Sequence, residues 1–206
     1  ENSFADRVFF CNSGTEAWEA TLKFCRKWGN TTHDKPKNRL IAFNNSFHGR
    51  TYGSISTTGQ PKYHQGFEPL LPGIDFAEFN DLDSVENLVR DETCAILVEP
   101  LQAEGGIHAA TPDFLQGLRS LCDERDMLLV FDEIQVGCGR LGSLWAHQQY
   151  GIEPDIMTLA KALGGGLPIG VALLRQRVAD AIQAGDHAAT FGANPVACAA
   201  AVAGFA

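Results

Sequence analysis

"MLLVFDE", residues 127–133, is a run of apolar residues that ends on two carboxylates. A strand written as an unbroken apolar run is buried on both faces, the condition inside a mainly parallel sheet. An acid at the carboxyl end of such a strand stands where ligands collect in open α/β sheets. Two readings compete for it. One is the Walker B strand of a nucleotide hydrolase, which requires a G-x-x-x-x-G-K-[ST] loop. The chain has no such loop, and in "AKALGGG" (160–166) the lysine precedes the glycines. The other reading makes Asp132 and Lys161 partners at one sheet edge.

Similar runs recur outward from this stretch: "RVFFC" (7–11), "LIAF" (40–43), "CAILVE" (94–99), "DIMTLA" (155–160) and "GVALL" (170–174). Each is short and nearly continuous, as buried strands of a mainly parallel sheet should be. Helical patterns lie between them. Residues 15–28 align Ala17, Thr21, Phe24 and Trp28 on one stripe. Asp81 is placed to cap a helix carrying Leu82, Val85, Leu88 and Val89. "TPDFLQGLRSLCDE" (111–124) offers Thr111 as cap and Pro112 at the first helical position, then aligns Phe114, Leu118, Leu121 and Cys122. Alternating strands and helices define an α/β fold. With no internal repeat, low-complexity tract or linker, a single domain spanning 1–206 is expected.

The composition of the 206 residues, 45% hydrophobic and 20% charged, is that of an ordinary globular chain. The net charge of −9 is dispersed, without a basic run, which argues against nucleic acid or an anionic membrane as a partner. No apolar stretch approaches the ~20 residues of a membrane span. The six cysteines make no C-x-x-C pair, so they read as reduced thiols, most of them buried, and no metal site is expected.

Polar residues gather at the strand ends: Asn12-Ser13-Gly14-Thr15, Glu99, Asp132-Glu133 and Lys161. "FCNSGTEAW" (10–18) places a small polar turn where a helix begins. Ser13 or Thr15 can cap that helix, or its unpartnered amides can receive an anion such as phosphate. Pyridoxal phosphate needs what this edge offers: a lysine for its Schiff base, an acid at its ring nitrogen and donors for its phosphate. Phe47 in "SFHGRT" supplies an aromatic face. His48, His108 and His187 have no acid or metal partners at telling spacings and read as structural or solvated.

The stretches "NSGTEA", "FHGRTYGSISTTGQPKY", "VEPLQAEGG", "LLVFDEIQVGCGR", "PDIMTLAKALGGGLPIG" and "TFGANP" together resemble the class III pyridoxal-phosphate aminotransferases, and among them the acetylornithine aminotransferase group. The order and approximate spacing hold across nearly the whole chain. The resemblance implies the fold type I architecture, a large cofactor-binding domain built on a mainly parallel sheet flanked by helices. It implies pyridoxal 5′-phosphate as cofactor and transfer of the δ-amino group of N-acetylornithine to 2-oxoglutarate, a step of arginine biosynthesis. Ornithine, succinylornithine and 4-aminobutyrate aminotransferases share the same core, and a non-catalytic protein of this fold is a further alternative.

By position, Gly14 and Thr15 resemble the phosphate-binding pair, and Phe47 the residue stacked on the ring. Asp132 resembles the ring-nitrogen acid, Gln135 the residue near the ring hydroxyl, and Lys161 the Schiff-base lysine. Glu133 is counted with the cofactor-binding group. Arg50 resembles the arginine that contacts substrate, and Glu104 the glutamate that engages a substrate-binding arginine. Ala189 stands where a substrate-contacting serine or threonine is expected. Thr190 resembles the threonine that reaches the phosphate of a neighbouring subunit, which implies a homodimer. Trp18 departs from the Asn usual after "SGTEA", and Ala103 and Ala193 replace glycines, a change that matters where φ is positive. The resemblance also implies a small C-terminal domain and an N-terminal portion outside residues 1–206, so the 206 residues alone are expected to be inactive. It implies a cytoplasmic enzyme in a bacterium, or a mitochondrial or plastid one in a eukaryote.

Overall fold

The computed structural model describes residues 2–205. β1 (Arg7–Cys11) leads into α1 (Gly14–Thr31), followed by β2 (Arg39–Phe43), the short α2 (Tyr52–Thr57), β3 (Ile74–Ala77), α3 (Leu82–Glu86) and β4 (Thr93–Val98). A small hairpin of β5 (Leu101–Gln102) and β6 (His108–Ala109) precedes α4 (Pro112–Glu124) and β7 (Leu128–Asp132). β8 (Ile156–Leu159), β9 (Gly170–Leu174), α5 (Gln176–Ala179) and α6 (Pro195–Gly204) follow.

The main sheet has the order β1-β9-β8-β7-β4-β2-β3. From β3 to β8 the pairing is parallel, and β9 runs antiparallel to both of its neighbours. The two reversals cancel, so β1 points the same way as β8. The carboxyl ends of β1, β4, β7 and β8 therefore arrive at one edge, and the residues that follow them meet there.

Alternation along β7 shows how the sheet is covered. Leu128 and Val130 face a core formed with Leu22, Cys25 and Trp28 of α1, whereas Leu129 and Phe131 face Phe114, Leu118 and Cys122 of α4. Burial of each such side chain is worth roughly 1.5–3 kcal/mol, which is why the middle strands read as unbroken apolar runs. α4 begins as its sequence requires: the Thr111 hydroxyl accepts from the Phe114 N–H and Pro112 opens the helix. Asp81 likewise caps α3 by accepting from the Ser84 N–H.

Three expectations change. "RVFFC" is an edge strand with Arg7 and Val8 exposed, because only β9 pairs with it. β3 carries no long apolar run, being a half-buried edge strand on the other side. α3 stops at Glu86, and Leu88 and Val89 pack on the core from the turn that follows. All six cysteines are free, four of them buried. Ala193 does occupy the left-handed region, with φ 60°, at a cost of roughly 1–2 kcal/mol that a glycine would not incur.

Candidate active site

The turn between β1 and α1 forms one wall of a cavity of about 400 Å³. Ser13 is the helix cap, its hydroxyl accepting from the Glu16 N–H at 3.3 Å. Glu16 turns back and accepts from the Asn12 backbone and side-chain N–H groups at 2.6 and 3.0 Å, which directs its charge away from the helix axis. Gly14 and Thr15 line the cavity, and their first-turn amides have no intrahelical acceptor. Gly14 packs closely there: a Cβ would lie 2.9 Å from Cγ2 of Ile134, so a larger residue would displace that side chain. The Thr15 hydroxyl is held by the hydroxyls of Thr51 and Ser54 at 2.9 and 2.8 Å. Capping and anion binding are thus compatible in one turn: Ser13 caps, and the next two amides stay open.

Asp132, the last residue of β7, is only 4% exposed and lines the opposite wall. One carboxylate oxygen accepts from the Ile134 N–H at 3.1 Å and the Thr158 hydroxyl at 3.3 Å. The other accepts from Nδ1 of His48 at 2.7 Å. His48 is therefore not a solvated or merely structural histidine. It has an acid partner 84 positions away, a contact that no local spacing announces.

Lys161, two residues past the end of β8, opens a 3₁₀ turn with φ 44°, a left-handed conformation that non-glycine residues adopt at some cost. Its side chain reaches the same cavity, and partial burial holds its ammonium below the ordinary lysine range against the opposing pull of Asp132 and Glu99. Glu99, just past β4, is 5% exposed and accepts from the Phe47 N–H at 3.1 Å. Burial, reinforced by neighbouring Asp132, pushes its carboxyl well above the usual range. Burial thus pushes Glu99 and Lys161, both lining one cavity, toward their neutral forms.

The mouth is aromatic and mixed in charge. Phe47 lines the cavity and meets Tyr63 edge-on at 5.6 Å. The Arg50 guanidinium lies 5.2 Å from the Tyr63 ring centre and 5.8 Å from that of Phe47. The Tyr63 hydroxyl donates to Glu104 at 2.9 Å. Arg50 and Glu104 are thus joined through Tyr63, whose role the sequence reading missed although its motif was in view. Gln135 also lines the cavity.

Four expected site residues are absent from the cavity walls, the exposed Arg50 among them. The Glu133 carboxylate is buried and turned away, accepting from the N–H groups of Ala146 and His147 at 2.6 and 2.8 Å. It anchors a 3₁₀ turn just past the end of β7 and does not line the cavity. Ala189 and the exposed Thr190 lie on a loop outside the cavity walls. Asn194 caps α6, accepting from the Ala197 N–H.

The family model "Aminotransferase class-III" matches residues 1–206. The chain is 49% identical over 203 residues to the acetylornithine aminotransferase of Methanocaldococcus jannaschii, covering 98% of this chain and 51% of that protein. It is 53% identical over 205 residues to the succinylornithine transaminase of Yersinia pestis bv. Antiqua, covering 97% and 50%. The chain spans about half the length of these curated relatives. A crystal structure of ornithine aminotransferase from Toxoplasma gondii, with partial occupancy of PLP at its active site, superposes with a TM-score of 0.92. That structure is 36% identical, and the match covers 97% of this chain and 48% of that one.

Proposed function

The chain belongs to the class-III aminotransferases, and on that premise we propose that its cavity holds pyridoxal 5′-phosphate (PLP) and serves transfer of an amino group from N-acetylornithine to 2-oxoglutarate. The observation that carries this reading is the meeting of Asp132, Lys161 and the open first turn of α1 around one cavity.

The donor set suits the cofactor's chemistry. The Gly14 and Thr15 amides and the Thr15 hydroxyl would take the phosphate, with the helix N-terminus favouring its charge. Asp132 would face the ring nitrogen, Phe47 the ring face and Gln135 the ring hydroxyl, and Lys161 Nζ would be the point of covalent attachment. Bound PLP supplies an electron sink for a carbanion at the amino-bearing carbon. Lys161 Nζ is the base for that carbon's proton, and its lowered pKa makes the neutral amine accessible. Asp132, fixed from three donors, would meet the ring nitrogen with little reorganisation. Arg50 would bind a donor carboxylate, and Tyr63 restrains Glu104 beside it. The exposure of Thr190 outside its own cavity supports a role toward a neighbouring subunit's phosphate in a homodimer.

Succinylornithine is a second reading of the donor, supported by the 53% identity to the Yersinia transaminase. The test is a comparison of specificity constants in a full-length protein carrying this chain. N-acetylornithine should exceed 4-aminobutyrate, with glutamate formed from 2-oxoglutarate. The reverse ranking would place the protein on another branch, and a higher value for succinylornithine would favour the second reading.

A further inference from the structure

Trp18 is fully buried in the first turns of α1, one helical turn beyond the Gly14 and Thr15 amides. Its indole stacks on the His48 imidazole with ring centres 3.9 Å apart and planes 8° from parallel. The indole N–H donates to the Thr57 hydroxyl at 2.8 Å, at the far end of α2. The His48 backbone N–H donates to the Thr58 hydroxyl at 2.9 Å, and its ring makes one hydrogen bond, from Nδ1 to Asp132. The Nε2 atom is buried without a partner among the described residues. An imidazole held by one ring hydrogen bond is loosely oriented, because its χ2 torsion has broad wells. The flat indole supplies the restraint that a second hydrogen bond would otherwise give.

We propose that Trp18 is a positioning residue for Asp132: its indole face fixes the plane of His48, and that plane aims the Nδ1–H at the Asp132 carboxylate. The inference rests on the reading of Asp132 as the acid facing the PLP ring nitrogen. Removing the flat face lets the imidazole turn, and the carboxylate oxygen it held loses its shortest donor. The field at the ring nitrogen then changes although no residue touching the cofactor has been replaced. Thr57 belongs to the same device, because its hydroxyl fixes the indole in its own plane.

The experiment uses a full-length protein carrying this chain, with Trp18→Phe, Trp18→Leu and Thr57→Val variants. Nitrogen-resolved proton NMR on histidine-labelled protein reads the Nδ1–H of His48 without added cofactor. Absorbance titration then reads the pH midpoint of bound PLP. Trp18→Phe keeps a flat face but loses the N–H that bonds Thr57, so it should weaken the proton signal no more than Thr57→Val does and leave the midpoint near the parent's. Trp18→Leu keeps apolar volume without a flat face. It should lose the signal and displace the midpoint by about one pH unit, tenfold in the proton equilibrium. Thr57→Val releases the indole without removing it, should weaken the signal, and decides the matter if Trp18→Leu does not fold. A folded Trp18→Leu protein with the parent's signal and midpoint overturns the proposal, as does an equal effect of Phe and Leu. A parent protein that takes up no PLP overturns the cofactor reading instead, and the NMR series still decides the link from Trp18 to His48.

Discussion

Asp132 and Asp155 are almost equally buried, 4% and 3% exposed, and stand at opposite ends of two adjacent parallel strands. Each is held by three donors. Asp155, just before β8, accepts from Arg119 at 2.9 Å, from Arg177 at 2.9 Å and from the Leu129 N–H at 2.8 Å. Asp132, at the end of β7, accepts from a backbone N–H, a hydroxyl and an imidazole. Two guanidiniums satisfy Asp155 completely and close the amino end of the sheet. Asp132 has no arginine or lysine bonded to it and looks into a cavity. Its charge is free to act on what enters there. Burial alone does not distinguish a functional acid from a structural one; the charge of its partners does.

The comparison is tested hardest by neutralising each carboxylate in turn. Asp132→Asn should leave the fold and cofactor binding intact while lowering turnover by about a thousandfold, the scale of losing a charge aligned with the reacting group. Near-normal turnover would remove Asp132 from the chemistry. Asp155→Ala should behave in the opposite way, costing about 1–3 kcal/mol of stability because the buried Leu129 N–H and the half-buried Arg119 lose their acceptor. Denaturant titration reads that loss. A variant as stable as the parent would show that the arginines find other acceptors, and the contrast between the two ends would fail.

How far the sequence carried this picture depends on where each residue's partners lie. The apolar runs of β4, β7 and β8 were legible because both of their faces are buried. The edge strands β1 and β3 were read with the wrong exposure or missed, since half their surface obeys no core. Asp132 and Lys161 could be placed because strand ends are determined by the runs before them. His48 could not, because its partner is brought near only by the packing of α1 and α2 over the sheet. Trp18 was seen as a departure, but that its indole lies against His48 is a fact of tertiary packing. Glu133 shows the reverse case: adjacency to Asp132 suggests a shared role, whereas its carboxylate turns to the Ala146 and His147 amides.

A smaller effect sharpens the same contrast through Glu133. Burial pushes its carboxyl up to about 7 despite its two amide donors. The folded chain therefore keeps this proton where an unfolded chain, with a carboxyl near ~4.3, has released it. This group's contribution to stability falls as pH rises across that interval and is flat above about 7. Glu133→Gln should flatten the slope of melting temperature against pH between about 5 and 8. An unchanged slope would assign the pH dependence to other groups, Glu99 first among them.

The central proposal is that Asp132, at the end of β7, and Lys161, two residues past β8, serve one cofactor. Its most direct test is reductive trapping: a full-length protein carrying this chain is loaded with PLP, treated with borohydride, digested and mapped. The account predicts the label on the peptide containing Lys161 and its absence from a folded Lys161→Ala variant. A label on a different lysine, or one that survives in Lys161→Ala, would contradict it.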